Sequence, residues 1–393
     1  MKILIVSDIP TSPTNAGNRR IIKSYTDLFK SWGNEVHFLF VNKFSLRKNY
    51  RSQIKNAISE TRKEWGAFYH QYDCSLWENI YTNSNIIITK LFRNSYRKCD
   101  DVYPNGLSKK IRNLYNIYHF EALMVNYFYL SRALDAIPIK RKALFTHDAF
   151  SMQKKSQEYK AVYYLTKKEE KKALSRATYI FAMQDVEAEY FKLLFPSRIV
   201  LTNYSNYQYH IQPIVGNHNI LYLAANTALN LDGIKWFIKD ILPLIKRNYN
   251  DVKLLIAGRI CEALTEYVRC PEIELIGEID DQASFYQKGD VAINPCRLGT
   301  GLKIKTFEAV SYDKVTLSHP NGLVGIFKEK ESPVFSSSKA WDWLNFLKTV
   351  WESHGTIIEI KVKNRSYIQQ MNDYIIEQYK ICLLYTSDAA DEL

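Results

Sequence analysis

Residues 290–309 read DVAINPCRLGTGLKIKTFEA, and this stretch decides the fold class of the chain. The mostly apolar residues 290–294 predict a buried strand, the glycines at 299 and 301 predict a turn, and the remainder predicts a helix. Gly301, Lys305 and Glu308 are spaced to lie on one face of that helix, and Lys303 falls in its first turn. The N–H groups at a helix start favour negative charge, so the stretch predicts an anion site.

A cation and a carboxylate on one helix face can bind two different parts of a single ligand. A lysine suits phosphate oxygens and a glutamate suits neighbouring hydroxyl groups. A nucleotide sugar carries both groups. The stretch therefore predicts a site for the diphosphate and the ribose of such a molecule.

The same stretch resembles the donor-binding motif of the GT-B glycosyltransferases of family 4. The matching residues are Pro295, Arg297, Gly299, Gly301, Lys303, Lys305, Glu308 and Ala309. The resemblance implies that Glu308 holds the donor ribose, and that the loop with Arg297, Gly299, Thr300, Gly301, Lys303 and Lys305 holds the diphosphate. Lys303, Lys305 and Glu308 are also the catalytic candidates in this loop. Many relatives have a second glutamate where this chain has Thr300.

The rest of the chain alternates strand and helix patterns, which predicts an α/β fold with parallel sheets. Strands are expected at 3–7, 36–41, 122–126, 143–146 and 179–183, then at 220–224, 253–257 and 274–276. Helices are expected at 19–32, 156–175, 233–249 and 365–380, and residues 45–118 are expected to be mostly helical. Together with the resemblance, this pattern predicts the GT-B architecture, with two Rossmann-like, doubly wound domains facing a central cleft.

The predicted domain boundaries follow from these two series of elements. They are an acceptor-side domain at 1–203, a linker at 204–216, a donor domain at 217–364, a crossing helix at 365–381 and a tail at 382–393. Residues 382–391 (CLLYTSDAAD) resemble the translation of a DNA-sequencing adapter. We therefore expect the natural chain to differ beyond residue 381, and the tail to have no packing of its own.

Loops that follow predicted strands contain further candidates. Gly17 and Arg20 lie in the first loop, where the family has a glycine-rich segment beside the donor phosphate. His147, with Asp148, follows the strand at 143–146 and is a candidate for the acceptor and for catalysis, because its ordinary pKa allows proton transfer near neutrality. The same histidine is equally suited to a structural role at the start of the next helix.

Three more loops give weaker signals. Asn230 and Gly233 are candidates for the diphosphate, and Asp232 is expected to cap the helix that follows. Arg259 ends a strand and is a candidate contact to the base or phosphate of the donor. Tyr127 forms either an acceptor wall or part of the core.

Charge and composition restrict the partners. Residues 1–200 contain 33 Lys and Arg against 18 Asp and Glu, whereas residues 201–393 contain 20 against 23. The basic half predicts either a solvated surface or contact with an anionic membrane, and the scattered clusters of basic residues argue against nucleic acid.

No apolar run is long enough to span a membrane. Six cysteines without metal-ligand spacing predict reduced thiols in a cytoplasmic protein, which the basic half would place at the inner face of the plasma membrane.

These observations predict a transferase that moves a sugar from a nucleoside-diphosphate sugar to a glycan or lipid-linked acceptor in cell-surface polysaccharide synthesis. The resemblance implies retention of anomeric configuration. No Asp-x-Asp motif ends a strand, so catalysis without a metal or other cofactor is expected. The alternatives are a sugar-nucleotide epimerase of the same fold, and a non-enzymatic basic adaptor that binds a membrane or nucleic acid.

Overall fold

The computed structural model describes residues 1–14, 17–43, 51–92, 96–152, 164–204, 206–299, 302–328 and 330–384. The chain divides into two compact units. The first contains Met1–Asn206 and Ile375–Leu393, and the second contains Tyr207–Tyr374. Each unit has its own parallel sheet and its own apolar core.

The first unit is built around a parallel sheet. Its strands are β1 (Lys2–Ser7), β2 (Glu35–Asn42), β3 (Tyr69–Asp73), β4 (Tyr96–Arg97), β5 (Ala122–Asn126), β6 (Arg141–Phe145), β7 (Tyr164–Leu165), β8 (Tyr179–Ala182) and β9 (Ile199–Thr202). Seven of them pair in the order β3-β2-β1-β5-β6-β8-β9, and β4 pairs with β7 separately. The strand order reverses between β1 and β5, and ligands of doubly wound sheets bind at the carboxyl edge of such a point.

Among the described residues, six α-helices and the longer of two 3-10 segments cover this sheet; the shorter is Gly66–Phe68. They are α1 (Gly17–Ser31), α2 (Arg51–Trp65), α3 (Leu76–Phe92), α4 (Leu107–Tyr118), a 3-10 segment (Phe128–Asp135), α5 (Lys167–Leu174) and α6 (Asp185–Leu194). In α1 the buried residues Ile21, Ile22, Tyr25 and Phe29 repeat at helical spacing and face the core. The predicted helix at 156–175 is shorter in the structure, beginning at Lys167, and its residues 156–163 lie outside the described part of the chain.

Two strands of the first sheet were not predicted. The sequence YHQYD of β3 has no apolar alternation, yet β3 pairs in parallel with β2 over its whole length. It forms one edge of the sheet, where its side chains stay partly exposed and need not be apolar. The prediction that 179–183 closes the series was also wrong, because β9 pairs with β8 beyond it.

The second unit repeats the same plan. Its strands are β10 (Asn219–Leu223), β11 (Lys253–Ala257), β12 (Ile273–Gly277), β13 (Val291–Asn294), β14 (Val315–Ser318) and β15 (Phe335–Ser336). Its helices are α7 (Ala228–Trp236), α8 (Leu242–Asn248), α9 (Gln282–Tyr286), α10 (Ile304–Ser311), α11 (Ala340–Glu352) and α12 (His354–Leu383). The strands are parallel in the order β12-β11-β10-β13-β14-β15. The order reverses between β10 and β13.

The predicted helix at 233–249 begins earlier and is interrupted. Helix α7 starts at Ala228 because the side chain of Thr227 accepts a hydrogen bond from the N–H of Asn230. A wider π-helical turn at Phe237–Ile241 then leads into α8. The expected cap, Asp232, therefore lies inside the helix.

Residues 207–216 of the predicted linker pack on the second unit. The N–H groups of Val215 and Gly216 donate to the carboxylate of Asp290, at 3.0 Å and 2.7 Å. The N–H of Gln212 donates to Asp313 at 3.2 Å. Backbone hydrogen bonds to buried carboxylates fix this segment, so it is part of the second unit rather than a free connection.

Helix α12 is longer than predicted, because it begins at His354 rather than at 365. It also continues into the tail that was expected to have no packing. Cys382 and Leu383 are each 1 % exposed. They lie one turn after Tyr379 on the same helix face, so the helix carries them into the core of the first unit.

Stacked aromatic rings join α1, the sheet and α12 within the first unit. Phe145 stacks on Tyr25 at 4.3 Å and on Phe181 at 4.5 Å between ring centroids. The ring of Tyr379 lies tilted against this stack, 5.3 Å from Phe181, and its hydroxyl donates to Asn203.

The described helices are all too short or too polar to cross a lipid bilayer. The six cysteines are free, and five of them are buried.

We predict that Tyr379→Ala lowers the free energy of unfolding of the protein by about 3–5 kcal/mol, because it empties a buried aromatic site. Urea denaturation followed by circular dichroism measures this change. Ile358→Ala on the same helix is the matched control, since Ile358 is 54 % exposed and its truncation should cost less than about 0.5 kcal/mol. Equal effects of the two substitutions would contradict the packing of α12 in the first unit.

Candidate functional site

The donor loop, residues 294–303, connects β13 to α10 at the point where the strand order of the second sheet reverses. The buried amide of Asn294 donates to Thr306 Oγ1 at 2.8 Å and to the carbonyl of Gly322 at 3.3 Å. Thr306 Oγ1 donates to the same carbonyl at 2.8 Å. These hydrogen bonds fix the start of α10 against the carboxyl end of β13.

Helix α10 begins later than the sequence predicted. Lys303 lies at the N-cap position, before the first helical residue Ile304. Thr300 and Gly301 fall outside the described residues. Gly299 has a φ of +92°, a left-handed conformation that favours glycine and turns the chain toward the helix.

The ammonium groups of the two lysines contact oxygen atoms of this unit. Lys303 donates to the carbonyls of Leu298 and Gly299 at 3.3 Å and 3.0 Å. Lys305 donates to Asn230 Oδ1 and lies 5.6 Å from the ring centroid of Tyr222. Burial lowers the pKa of both, that of Lys305 to about 8. Lys305 is therefore still mostly protonated at neutral pH.

Glu308 lies on α10 three residues after Lys305 and is 6 % exposed. Its charge opposes the effect of burial on the pKa of Lys305, so the two side chains are electrostatically coupled. The structure thus brings together Lys305 and Glu308 on the first two turns of α10. Such a pair can present a cation and a carboxylate to one ligand.

Helix α7 is held against the donor loop by charged and polar contacts. Arg297 makes two hydrogen bonds to the Asp232 carboxylate, at 3.0 Å and 2.6 Å, and its guanidinium lies 5.6 Å from the ring centroid of Trp236. The Asp232 carboxylate raises the pKa of Arg297. Asn230, on the same helix, accepts from Lys305. Arg297 therefore links the loop to α7, and Asn230 links α10 to α7.

Gly233 is buried within α7 and allows this close approach. A Cβ atom at this position would lie 2.5 Å from the carbonyl oxygen of Pro295. The residue was predicted to face a diphosphate, but the structure gives it a packing role. Arg259 is 61 % exposed and lies 3.8 Å from Glu278, so it stands at the surface near the end of β11.

A second group of candidates lies at the reversal point of the first sheet. Gly17 begins α1, and Asn18 donates from Nδ2 to the Tyr127 hydroxyl at 3.0 Å. Tyr127 stacks on His147, with ring centroids 4.2 Å apart. Both Tyr127 and His147 have positive φ values, 70° and 62°, at the ends of neighbouring strands β5 and β6. Strained backbone of this kind clusters at functional sites.

The hydrogen bonds of His147 determine its tautomer. Asn126 donates from Nδ2 to the carbonyl of Val6 at 3.3 Å, which turns Oδ1 toward His147. His147 Nε2 lies 2.8 Å from that oxygen and must donate to it, so Nδ1 is left as an acceptor. Burial lowers the pKa of His147 to about 3. At that pKa the imidazole is neutral near pH 7, which differs from the ordinary histidine pKa on which the predicted proton transfer was based.

Arg20 and Asp148 are both partly buried. Arg20 lies in the first turn of α1, and Asp148 follows His147. The charge of Asp148 adds to the effect of burial, which raises the pKa of Tyr127 to about 12 and that of Glu187 to about 7.

Several residues at these two sites escaped sequence reasoning. Asn126 orients His147, Asn18 holds Tyr127, Tyr222 lies beside Lys305, and Glu170 and Glu187 are buried carboxyls whose pKa values burial raises to about 7. Only Asn126 had a usable signal, because it ends a predicted strand at the carboxyl edge. Glu170 lies in the run KKEEKK, which resembles an exposed helix face.

Residues 217–340 match the family described as glycosyl transferases group 1. This segment is a group 1 glycosyltransferase domain. It contains the complete donor loop and α10. The prediction that the chain is a transferase enzyme is confirmed.

A relative of this chain is described as an uncharacterized 44.6 kDa protein in the cps region of Klebsiella pneumoniae. It is 23 % identical over 364 residues, which are 82 % of this chain and 84 % of the relative.

Solved structures show the same fold. HepE from Anabaena, in complex with UDP and glucose, has a TM-score of 0.61 at 11 % identity over 100 % of both chains. Sucrose-phosphate synthase from Thermosynechococcus elongatus has a TM-score of 0.66 at 12 % identity over 99 % of both chains. A TarM variant from S. aureus, in complex with Fondaparinux, alpha-GlcNAc-glycerol and UDP, has a TM-score of 0.63 at 10 % identity over 98 % of this chain and 100 % of that one. The predicted GT-B fold class is confirmed.

We predict that Gly233→Ala destabilises the protein by about 1–3 kcal/mol, because the new methyl group meets backbone rather than a movable side chain. Thermal unfolding measures the loss. Gly355→Ala is the control: Gly355 lies in the first turn of α12, its nearest neighbour would be Ser353 Oγ at 3.5 Å, and the substitution should leave stability within about 0.5 kcal/mol or raise it slightly. Stabilisation by both substitutions would rule out the packing role of Gly233.

Proposed function

We propose that this glycosyltransferase moves a sugar from a nucleoside diphosphate to a glycan or lipid-linked acceptor during cell-surface polysaccharide synthesis. One observation carries the proposal: Lys305 and the buried Glu308 share the first two turns of α10, at the carboxyl edge of the second sheet. The structures of HepE and of the TarM variant contain UDP, which supports a nucleotide-sugar donor. The relative encoded in a cps region supports a polysaccharide product.

In this proposal each group of the donor loop binds one part of the donor. Glu308 accepts hydrogen bonds from the ribose hydroxyls. Lys303 and Lys305 exchange their present oxygen partners for diphosphate oxygens, and the backbone around Gly299 approaches the phosphates. Arg297 and Asn230 hold the loop against α7 and shape the site. The uncapped N–H groups at the start of α10 add a favourable dipole for the anion.

Catalysis then consists mainly of stabilising the leaving diphosphate. The bond from the anomeric carbon to the diphosphate oxygen breaks, and the hydroxyl oxygen of the acceptor forms the new bond to that carbon. The hydroxyl proton passes to the departing diphosphate, whose remaining charge is neutralised by Lys303 and Lys305. A preorganised contact of this kind supplies roughly 3–4 kcal/mol of transition-state stabilisation. We propose retention of configuration and no requirement for a metal or other cofactor, in agreement with the family resemblance and the missing Asp-x-Asp motif.

The group at His147 is proposed to receive the acceptor. The neutral imidazole presents Nδ1 as a hydrogen-bond acceptor for a sugar hydroxyl, while Nε2 is held by Asn126. Tyr127 and Asp148 would border the same acceptor, and Gly17 and Arg20 would border the donor phosphates from the start of α1. Because the pKa of His147 is about 3, its role is to orient the acceptor rather than to carry a proton.

We further propose a cytoplasmic enzyme at the inner face of the plasma membrane. The six free cysteines suit a reducing compartment. The excess of Lys and Arg in residues 1–200 suits a surface that contains anionic lipid.

We predict that Glu308→Ala and Lys305→Ala each lower the rate of transfer at least about 100-fold, since each removes a contact that the donor needs. Isothermal titration with UDP and GDP identifies the nucleotide that binds. Transfer assays with sugars of that nucleotide then measure the effect. Glu359→Ala is the control, because its carboxylate is 66 % exposed on α12 of the same unit. Wild-type activity in both site variants would exclude the proposed donor site.

Incubation with donor alone tests the competing epimerase activity. Transferase activity requires an acceptor, whereas an epimerised sugar nucleotide formed without acceptor would assign the chain to that other class.

We predict that UDP affinity is constant between about pH 7 and pH 8, where the terminal phosphate is fully ionised, and falls by up to about tenfold per pH unit above that range. Burial lowers the pKa of Lys305 to about 8, and the diphosphate favours its protonated form, so binding weakens once the free lysine loses its proton. Calorimetric titration across this range measures the decline. Lys305→Arg keeps its charge and should move the decline to higher pH; an unchanged midpoint would contradict the assignment to Lys305.

A further inference from the structure

Helix α3 exposes an apolar face. The exposed apolar residues are Leu76, Trp77, Ile80, Tyr81, Ile87, Ile88, Leu91 and Phe92. At about 3.6 residues per turn they fall within an arc of about 160°. Trp77, Leu91 and Phe92 are 78 %, 70 % and 80 % exposed. A continuous exposed apolar stripe of this kind marks an interaction surface.

The buried face of the same helix is polar. Asn79, Asn85 and Thr89 are 8 %, 9 % and 2 % exposed. By helical spacing Asn79 lies nearly opposite Trp77, Thr89 about 120° from it and Asn85 about 80° from it. The pattern is the reverse of the usual one, in which apolar side chains of a surface helix face the core. The free energy gained by burying the apolar face therefore remains available for an association.

Specific hydrogen bonds hold α3 in this orientation. Asn85 donates from Nδ2 to the carbonyl of Asp101 at 2.9 Å, and Asn79 donates to the carbonyl of Cys74 at 3.2 Å. Glu78 accepts from the N–H of Gly106 at 2.8 Å, just before α4. Turning the apolar face inward would break the bonds to Asp101 and Gly106 and leave the buried carbonyl of Asp101 without this donor. The outward direction of the apolar face is thus built into the fold.

The chain around the C-terminal end of α3 is basic. Between residues 90 and 112 the sequence has seven Lys and Arg against two Asp. Asp100 is already neutralised by Arg176 at 2.7 Å and Lys172 at 2.9 Å, and Asp101 is buried. Lys98, Lys109 and Arg112 are exposed.

We propose that the exposed face of α3 is the surface by which this glycosyltransferase docks on an anionic lipid bilayer. Apolar and aromatic side chains enter the interface between headgroups and acyl chains, and nearby lysines and arginines contact lipid phosphates. A second copy of the chain is disfavoured as the occupant, because a two-fold contact would place the same basic residues opposite each other. The inference extends the membrane location in the proposed function but does not depend on the donor site.

The test measures sedimentation of the full chain with vesicles of phosphatidylcholine, with and without phosphatidylglycerol. We expect binding to the anionic vesicles that weakens as salt is raised. The double variant Leu91→Ser, Phe92→Ser should lose about 10- to 100-fold in partitioning, because two apolar side chains no longer leave water. Leu193→Ser on α6 is the matched control, because Leu193 is also 80 % exposed, and it should change partitioning less than about twofold. Lys98→Gln should reduce binding by about fivefold and weaken its salt dependence.

Two further measurements separate this proposal from the donor site. The double variant should keep wild-type UDP affinity, and Lys305→Ala should keep wild-type vesicle binding. Failure of UDP binding alone would therefore leave the membrane proposal intact. Absence of vesicle binding by the wild type, or equal binding by the double variant, would overturn it. Loss of a wild-type dimer in the double variant, seen by analytical ultracentrifugation, would overturn it in favour of a second copy.

Discussion

The hydrogen bonds of Asn294 are the contacts on which the donor loop depends. The amide lies 1 % exposed at the end of β13 and donates to Thr306 on α10 and to the carbonyl of Gly322. A buried amide left without partners costs about 1–3 kcal/mol, so strand and helix are held in one arrangement. Lys305 and Glu308 take their positions from this arrangement, since both are fixed to the first two turns of α10.

Burial acts on both groups of candidate residues, with opposite chemical results. It lowers the pKa of Lys305 to about 8, where the side chain is still a cation at neutral pH. It lowers the pKa of His147 to about 3, where the side chain is neutral. The second unit therefore presents positive charge suited to a diphosphate. The first unit presents a neutral acceptor of hydrogen bonds suited to a sugar hydroxyl.

The first unit also shows how far one helix departs from the rule that apolar side chains face inward. In α1 the apolar residues pack on the sheet, whereas in α3 they face outward and Asn79 and Asn85 face inward. The same unit contains the excess of basic residues. Exposed apolar side chains and positive charge both favour binding to an anionic lipid surface.

The sequence by itself determined the two parallel sheets, most of their strands and the group 1 glycosyltransferase motif, because buried strands and phosphate-binding turns leave local patterns. It did not reveal β3, whose edge position allows polar residues, or the packing of Cys382 and Leu383, which follows from the reach of α12. Only the tertiary structure decided that Arg297 pairs with Asp232 and Lys305 with Asn230, 65 and 75 residues away along the chain. Patterns in a sequence report how each segment meets its own surroundings, whereas partners so distant along the chain meet only when the sheet brings its loops to one edge.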